Sequence, residues 1–122
     1  MSNPHRIHHV QVAMPKGGET DARHFYGELL GFDELEKPAT LQSLGGAWFR
    51  TGTIDLHLGV EEPFSPAKKA HVAYQVTDLD AVAENLQRAG FMVKPDDRLP
   101  GYRRFYTEDP FGNRVEILTP SE

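Results

Sequence analysis

The chain has 122 residues, of which 39% are hydrophobic and 25% are charged, with a formal net charge of -5. This composition is typical of one globular domain large enough to close a hydrophobic core. The Lys and Arg residues form no basic run, so we expect no nucleic-acid partner. The absence of cysteine excludes disulfides, thiolate nucleophiles and Cys-based zinc sites. No apolar run approaches the roughly 18 residues of a membrane span. We therefore expect a cytoplasmic protein without a membrane partner.

The first half is predicted to form a strand, a helix and three further strands. Ile7 to Met14 alternates like a strand, and the helix that follows is capped by Thr20 and ends at Gly31. Its apolar positions follow helical spacing: Ala22, Phe25, Tyr26, Leu29 and Leu30. The remaining strands are short and separated by Gly and Pro: Phe32 to Glu36, Gly46 to Arg50 and Thr53 to Leu58.

The second half repeats this order more clearly. A strand from Ala70 to Val76 leads to a helix that Thr77 or Asp78 caps and Gly90 ends. Three strands follow, the last two joined by a turn at Asp-Pro-Phe-Gly-Asn: Phe91 to Lys94, Arg103 to Thr107 and Arg114 to Leu118.

The two halves therefore predict an α+β fold built by duplication. Each half reads as a βαβββ module, and the sheets are expected to be mixed and to curl around a common cleft. We expect one domain over residues 1–122, with modules at 5–60 and 68–120. The linker is placed within 59–69, where Gly59 to Ala67 contains two prolines and two glutamates.

Alignment of the modules brings potential metal ligands to paired positions. Gly31 precedes His57 by the same 26 residues that separate Gly90 from Glu116. His9 and His71 open the first strand of each module. An alternative register makes Asp55 the partner of Glu116, and period-2 alternation cannot separate Asp55 from His57 because both lie on one strand face.

Imidazole nitrogens and carboxylate oxygens suit Zn²⁺, Fe²⁺, Ni²⁺, Co²⁺ or Mn²⁺, and two histidines with one carboxylate can leave positions open for substrate. Each residue also has an ordinary structural explanation. A single strand histidine is more often a surface or core residue than a ligand. Glu116, between Val115 and Ile117, can simply face solvent on an alternating strand. The paired positions are what favour a divalent metal site.

Five motifs recur in order along nearly the whole chain: His9-Val10-x-Val12-x-Met14, Phe25-Tyr26-x-x-Leu29-Leu30-Gly31-Phe32, His71-Val72-x-x-x-Val76-x-Asp78, Asp109-Pro110-x-Gly112-Asn113 and Val115-Glu116-Ile117. In these motifs the chain resembles the vicinal oxygen chelate superfamily of glyoxalases, bleomycin-resistance proteins, extradiol dioxygenases and fosfomycin-modifying thiol transferases. The resemblance implies a glyoxalase-like fold and a homodimer whose modules pair around a metal.

The same resemblance places His9, His71 and Glu116 at the metal-ligand positions, with Glu116 also the candidate catalytic residue. Glyoxalases have a glutamate as fourth ligand, where this chain offers His57 or Asp55. A glyoxalase-type proton transfer uses a carboxylate that can leave the metal, so His57 at this position departs from the glyoxalase pattern.

The expected function is therefore a metal-dependent enzyme, with lyase or isomerase, dioxygenase or thiol-transferase chemistry on a small oxygen-chelating substrate. The alternative is a metal-free protein that binds a drug or small molecule, as bleomycin-resistance proteins do. Arg50, Tyr102 and Arg104 are candidate substrate residues, although arginines beside turns are more often solvated surface.

Overall fold

The computed structural model describes residues 2–122, which form two four-stranded sheets. The first sheet contains β1 (Val10–Met14), β2 (Asp33–Leu35), β3 (Ala47–Thr51) and β4 (Ile54–Val60). The second contains β5 (Val72–Gln75), β6 (Lys94–Asp96), β7 (Tyr102–Glu108) and β8 (Arg114–Pro120). The helical segments are α1 (Glu19–Ala22), which continues as a π-helix (Arg23–Leu29), a 3₁₀ helix (Ala39–Leu44) and α2 (Leu79–Arg88).

Both sheets have the same topology. The strand orders are β1-β4-β3-β2 and β5-β8-β7-β6. In each sheet the first strand pairs in parallel with the last, and the other neighbours are antiparallel. The predicted α+β fold of two βαβββ modules with mixed sheets is confirmed. The chain divides into two compact units at Ser65 and Pro66, and β4 continues two residues into the expected linker.

The first helix differs from the prediction. Thr20 does not cap it, because the helix already begins at Glu19 and Gly18 occupies the N-cap without a side-chain hydrogen bond. From Arg23 onward the turn widens, and the Leu30 amide bonds to the Phe25 carbonyl at 3.0 Å, five residues back. Phe25 and its apolar neighbours are still buried, because the apolar side of this segment faces the sheet whether the turns are α-helical or π-helical.

The second helix follows the prediction closely. Of the two candidate caps, Asp78 is the N-cap, and its carboxylate accepts the Ala81 amide at 3.0 Å. Gly90 has φ +91°, and the Phe91 amide bonds back to Leu86 at 2.9 Å. This is the hydrogen-bond pattern of a glycine-terminated helix. The following strand begins at Lys94 rather than Phe91, and the 3₁₀ helix was not predicted.

Each sheet buries one face against its own helix. Leu56 and Leu58 alternate along β4, and Val115 and Ile117 alternate along β8; all four are at most 3% exposed. Because successive strand side chains point to opposite faces, the residue between each pair lies on the face away from this apolar core. His57 and Glu116 occupy those positions.

No helix in residues 2–122 has the length and apolar character needed to cross a membrane.

Candidate functional site

The strand register decides which residue of β4 corresponds to Glu116. In the first sheet the β1 partner of His57 is Gln11, and in the second sheet the β5 partner of Glu116 is Ala73. His9 lies two residues before Gln11, and His71 lies two residues before Ala73. His57 and Glu116 are therefore equivalent in the two modules, and the register that would have paired Asp55 with Glu116 is wrong.

In the second unit, His71 and Glu116 face each other directly. His71 Nε2 lies 2.8 Å from Glu116 Oε1, and His71 Nδ1 lies 2.8 Å from the Lys69 carbonyl oxygen. A carbonyl oxygen can only accept, so Nδ1 donates to it and Nε2 is the nitrogen that faces the carboxylate. This arrangement, with one ring nitrogen bonded to a backbone carbonyl, is how metal-binding histidines are commonly oriented.

Glu116 is buried, at 5% exposure, and both of its oxygens have partners. Oε2 accepts a hydrogen bond from Arg104 Nη1 at 3.2 Å. Arg104 in turn donates from Nε and Nη2 to Asp96 Oδ1, at 3.0 and 2.9 Å. Asp96 and Glu116 therefore share one guanidinium. The pKa of Asp96 is lowered to about 2. The main cause is the hydrogen bond from the Arg98 amide, followed by the side chains of Arg104 and Arg98.

A tightly bonded turn places β8, and with it Glu116. Asp109 Oδ1 accepts the amides of Phe111 and Asn113, each at 2.9 Å. Asn113 Oδ1 accepts the Ala67 amide at 2.9 Å, and the Arg114 amide donates to the Ala67 carbonyl at 2.9 Å. The predicted Asp-Pro-Phe-Gly-Asn turn therefore also fixes the segment that leads towards His71.

In the first unit, His9 and His57 come together as stacked rings. Their centroids lie 4.2 Å apart with planes 16° from parallel. Trp48, the β3 partner of His57, also stacks on that ring, at 3.9 Å and 3°. His57 is therefore held flat beside both rings and is 8% exposed. Burial, and to a lesser extent the nearby His9, lower the pKa of His57, which favours the neutral imidazole.

Asp55, the other candidate on β4, is engaged elsewhere. It forms a two-pronged ion pair with Arg50 across β3 and β4, at 2.6 and 3.3 Å. This pairing lowers the pKa of Asp55, with the Arg50 hydrogen bond as the main cause. Arg50 and Arg104 are thus both bound to carboxylates of their own sheets, and Tyr102 is 37% exposed. Their roles towards a substrate stay predictions.

The second unit fits a divalent ion better than the first. His71 Nε2 and Glu116 Oε1 lie 2.8 Å apart and on the same face of the sheet, so both atoms could bind one divalent ion as neighbouring ligands. The stacked rings of His9 and His57 have nearly parallel planes, so their in-plane lone pairs do not converge without a ring rotation. Within residues 2–122, no three His, Asp or Glu side chains already converge as a metal-binding group.

A cavity of about 670 Å³ lies beside the stacked rings in the first unit. Its lining combines polar groups with apolar side chains, among them His9, Trp48, His57, Leu35 and Leu41.

The sequence identified the histidines but not the stacking of their rings, because cross-strand neighbours depend on strand register. Asp96 was also missed, and no motif in the sequence marks it.

The chain belongs to the Glyoxalase/Bleomycin resistance protein/Dioxygenase superfamily, whose sequence profile matches residues 6–117. The superfamily resemblance noted in the sequence is thereby confirmed. A comparison with curated proteins gives no significant match.

Several crystal structures have the same fold. A glyoxalase family protein from Bacillus anthracis is 44% identical, with a TM-score of 0.94 over 99% of each chain. A glyoxalase/dioxygenase from Nostoc punctiforme is 26% identical, with a TM-score of 0.78 over 96% of this chain and 92% of that one. An antibiotic binding protein from Streptomyces sp. CB03234 is also 26% identical, with a TM-score of 0.71 over 99% of each chain.

Proposed function

We propose that this protein is a metal-dependent enzyme of the superfamily, acting on a small substrate with adjacent oxygen atoms. The observation that carries the proposal is the 2.8 Å approach of His71 Nε2 to Glu116 Oε1, with Nδ1 of the same ring bonded to Lys69. The 2.8 Å contact is that of a hydrogen bond, and once Nε2 has lost its proton the nitrogen and the carboxylate oxygen could serve as two neighbouring ligands of one divalent ion.

His71 and Glu116 of the second unit are the proposed ligand pair, and the assignment of His9 and His57 as further metal ligands stays a prediction from the sequence. The neutral form favoured for His57 is the form that can bind a metal ion. Zn²⁺, Fe²⁺, Ni²⁺, Co²⁺ and Mn²⁺ all suit this mixture of imidazole and carboxylate. Asp55 is left out because Arg50 already occupies both of its oxygens.

A bound divalent ion would supply a Lewis acid that polarises a carbonyl or enolate oxygen of the substrate. The residues of the chain have separate tasks. Lys69 holds the His71 ring in orientation through its carbonyl oxygen. Glu116 is the buried carboxylate that would bind the ion through Oε1 and, on leaving the ion, would accept or return a proton at the same atom, while its other oxygen stays bonded to Arg104.

Metal content is the direct test. Protein purified without chelator is analysed for bound metals, and chelator-treated protein is titrated with Mn²⁺, Co²⁺, Ni²⁺ and Zn²⁺ by calorimetry. Glu116→Gln removes one ligand charge with little change of shape, and we expect affinity to fall roughly 100-fold or more. The control is Glu108→Gln, because Glu108 is an exposed β7 carboxylate paired with Lys68 at 3.4 Å. Absence of any bound ion, or equal affinity in Glu116→Gln, would refute the proposal.

A second candidate function is metal-free binding of a small molecule. The stacked Trp48, His57 and His9 rings beside a cavity of about 670 Å³ favour it, because flat rings and apolar walls suit an aromatic ligand. An antibiotic binding protein is among the similar structures. Trp48 is the only tryptophan in the sequence, so its fluorescence reports on this cavity. Quenching and thermal stabilisation by an aromatic drug, with no response to any ion, would favour the binder over the enzyme.

We also propose that the protein is a homodimer, as the resemblance to the superfamily implies. Sedimentation velocity at micromolar concentration measures this directly. A dimer should sediment with about twice the mass of the 13.7 kDa chain, and a monomer throughout the concentration range would contradict the proposal.

A further inference from the structure

Arg104 lies where two carboxylates of the second sheet meet. Its guanidinium bonds to Asp96 through two nitrogens and to Glu116 through the third. All three side chains are largely buried: those of Arg104 and Asp96 are 13% and 12% exposed, and that of Glu116 is buried still further. An ion-paired group this well shielded from water keeps a defined geometry, in contrast to the exposed pairs of the same sheet.

The backbone register holds this cluster in place. Asp96 and Arg104 are direct cross-strand partners of β6 and β7, and Tyr106 is the direct partner of Glu116 on β8. The Tyr106 ring lies under the guanidinium, with its centroid 5.2 Å from the Arg104 Cζ atom. Asp96 and the Tyr106 ring therefore hold the Arg104 guanidinium in the orientation in which it donates to Glu116.

We propose that Arg104 is a positioning residue: it holds Oε2 of Glu116, so that only Oε1 is presented to His71 Nε2. With an ion bound, Glu116 would then offer one oxygen rather than two, which would leave a coordination position open for the substrate. The ion in this statement rests on the proposed function, whereas the orientation of Glu116 towards His71 does not.

This role differs from direct substrate binding by Arg104. Each of its three guanidinium nitrogens already donates to a carboxylate within the same sheet, which leaves one N–H group on Nη1 and one on Nη2. A substrate anion at these two groups would lie beside the carboxylates of Asp96 and Glu116, whose negative charges repel it. Positioning of Glu116 brings no such repulsion.

The test compares Arg104→Lys with Arg103→Lys. Lysine keeps the charge, but its single ammonium cannot reproduce the planar fork that reaches both carboxylates. Arg103 is the neighbouring β7 residue and is 57% exposed, pairing with Asp80 at 2.8 Å on the surface. It therefore controls for loss of an arginine from the same strand without contact to Glu116.

Two measurements are made on each variant. The first is the Mn²⁺ dissociation constant of chelator-treated protein, with the Co²⁺ absorption spectrum as a report of coordination number. The second is the ¹⁵N imidazole spectrum of the ion-free protein, with the His71 signals assigned by their loss in His71→Gln. Circular dichroism establishes that the variants are folded.

We expect Arg104→Lys to weaken Mn²⁺ binding roughly tenfold to 100-fold, to change the Co²⁺ spectrum and to shift the His71 signals, with no such change in Arg103→Lys. Unchanged His71 signals and an unchanged dissociation constant would overturn the proposal, as would equal effects of the two substitutions. If the wild-type protein binds no ion but the His71 signals still shift in Arg104→Lys alone, the proposed function fails and the positioning role of Arg104 stands.

Discussion

Gly46 is the position in the first unit where a single added methyl group should be most damaging. It directly precedes β3, and its φ of +85° is a conformation that L side chains rarely adopt. A Cβ at this position would lie 2.1 Å from the Leu58 carbonyl oxygen and 3.2 Å from the Leu58 carbonyl carbon. These Leu58 atoms belong to the backbone, so no side-chain rotation can relieve the contact. Leu58 directly follows His57, so the strand that must move carries a proposed ligand.

Two costs add in Gly46→Ala. The left-handed conformation costs an L residue about 1–2 kcal/mol. Relief of the close contact forces β3 away from β4 where Ala47 pairs with Leu58, and such overpacking costs about 1–3 kcal/mol. We therefore expect a loss of about 3 kcal/mol in the free energy of unfolding. Gly52→Ala is the matched control: its φ is +55°, and nothing lies within 4 Å of the added methyl, so only the conformational cost of about 1–2 kcal/mol applies.

Urea unfolding followed by Trp48 fluorescence measures both variants, since Trp48 lies on β3 beside the perturbed pairing. The midpoint should fall clearly further for Gly46→Ala than for Gly52→Ala, with similar slopes in the two transitions. Equal losses would refute the reasoning, because they would mean that the Leu58 carbonyl does not restrict this position. A stabilising effect of Gly46→Ala would refute the left-handed conformation as well.

Three further predictions concern stability. Asp78→Ala removes the N-cap of α2 and should lower the free energy of unfolding by about 1 kcal/mol, seen as a lower Tm. The hydroxyl of Thr107 is fully buried and has no hydrogen-bond partner among residues 2–122, so Thr107→Val should stabilise by about 1 kcal/mol; a lower Tm would contradict this. The Gly46 amide lowers the pKa of Glu19 from 4.5, so this carboxylate stabilises the fold above pH 4.5 and its contribution is lost as the pH falls through the lowered pKa. Glu19→Gln should therefore reduce the acid sensitivity of unfolding, and an unchanged pH profile between 3 and 6 would contradict the assignment.

Much of the fold could be predicted because its signals are local. Gly90 ends α2 in the left-handed conformation, and Asp78 caps it, since both effects depend on a few neighbouring residues. The first helix was less predictable. Its widened turns and its start at Glu19 have no local signal as strong as the Asp78 cap, and the Glu19 carboxylate bonds instead to Gly46, 27 residues away.

The candidate site shows the same division. Counting from the two glycines predicted that His57 and Glu116 are equivalent, and His9 was matched with His71 by the strands that they open. The sequence left Asp55 as an alternative, because residues two apart on a strand share a face. Strand register removed that alternative by placing Gln11 opposite His57 and engaging Asp55 with Arg50.

The sequence by itself determined that this chain is a duplicated βαβββ protein of the superfamily, and it determined which histidines and which glutamate stand at paired positions. These conclusions rest on short-range periodicity, on helix-ending glycines and on motif order. Only the tertiary structure decided how the side chains meet: His71 against Glu116, His57 stacked between its neighbours, and Arg104 shared by Asp96 and Glu116. The physical reason is that these contacts join residues distant in sequence, and their geometry is set by strand register and burial.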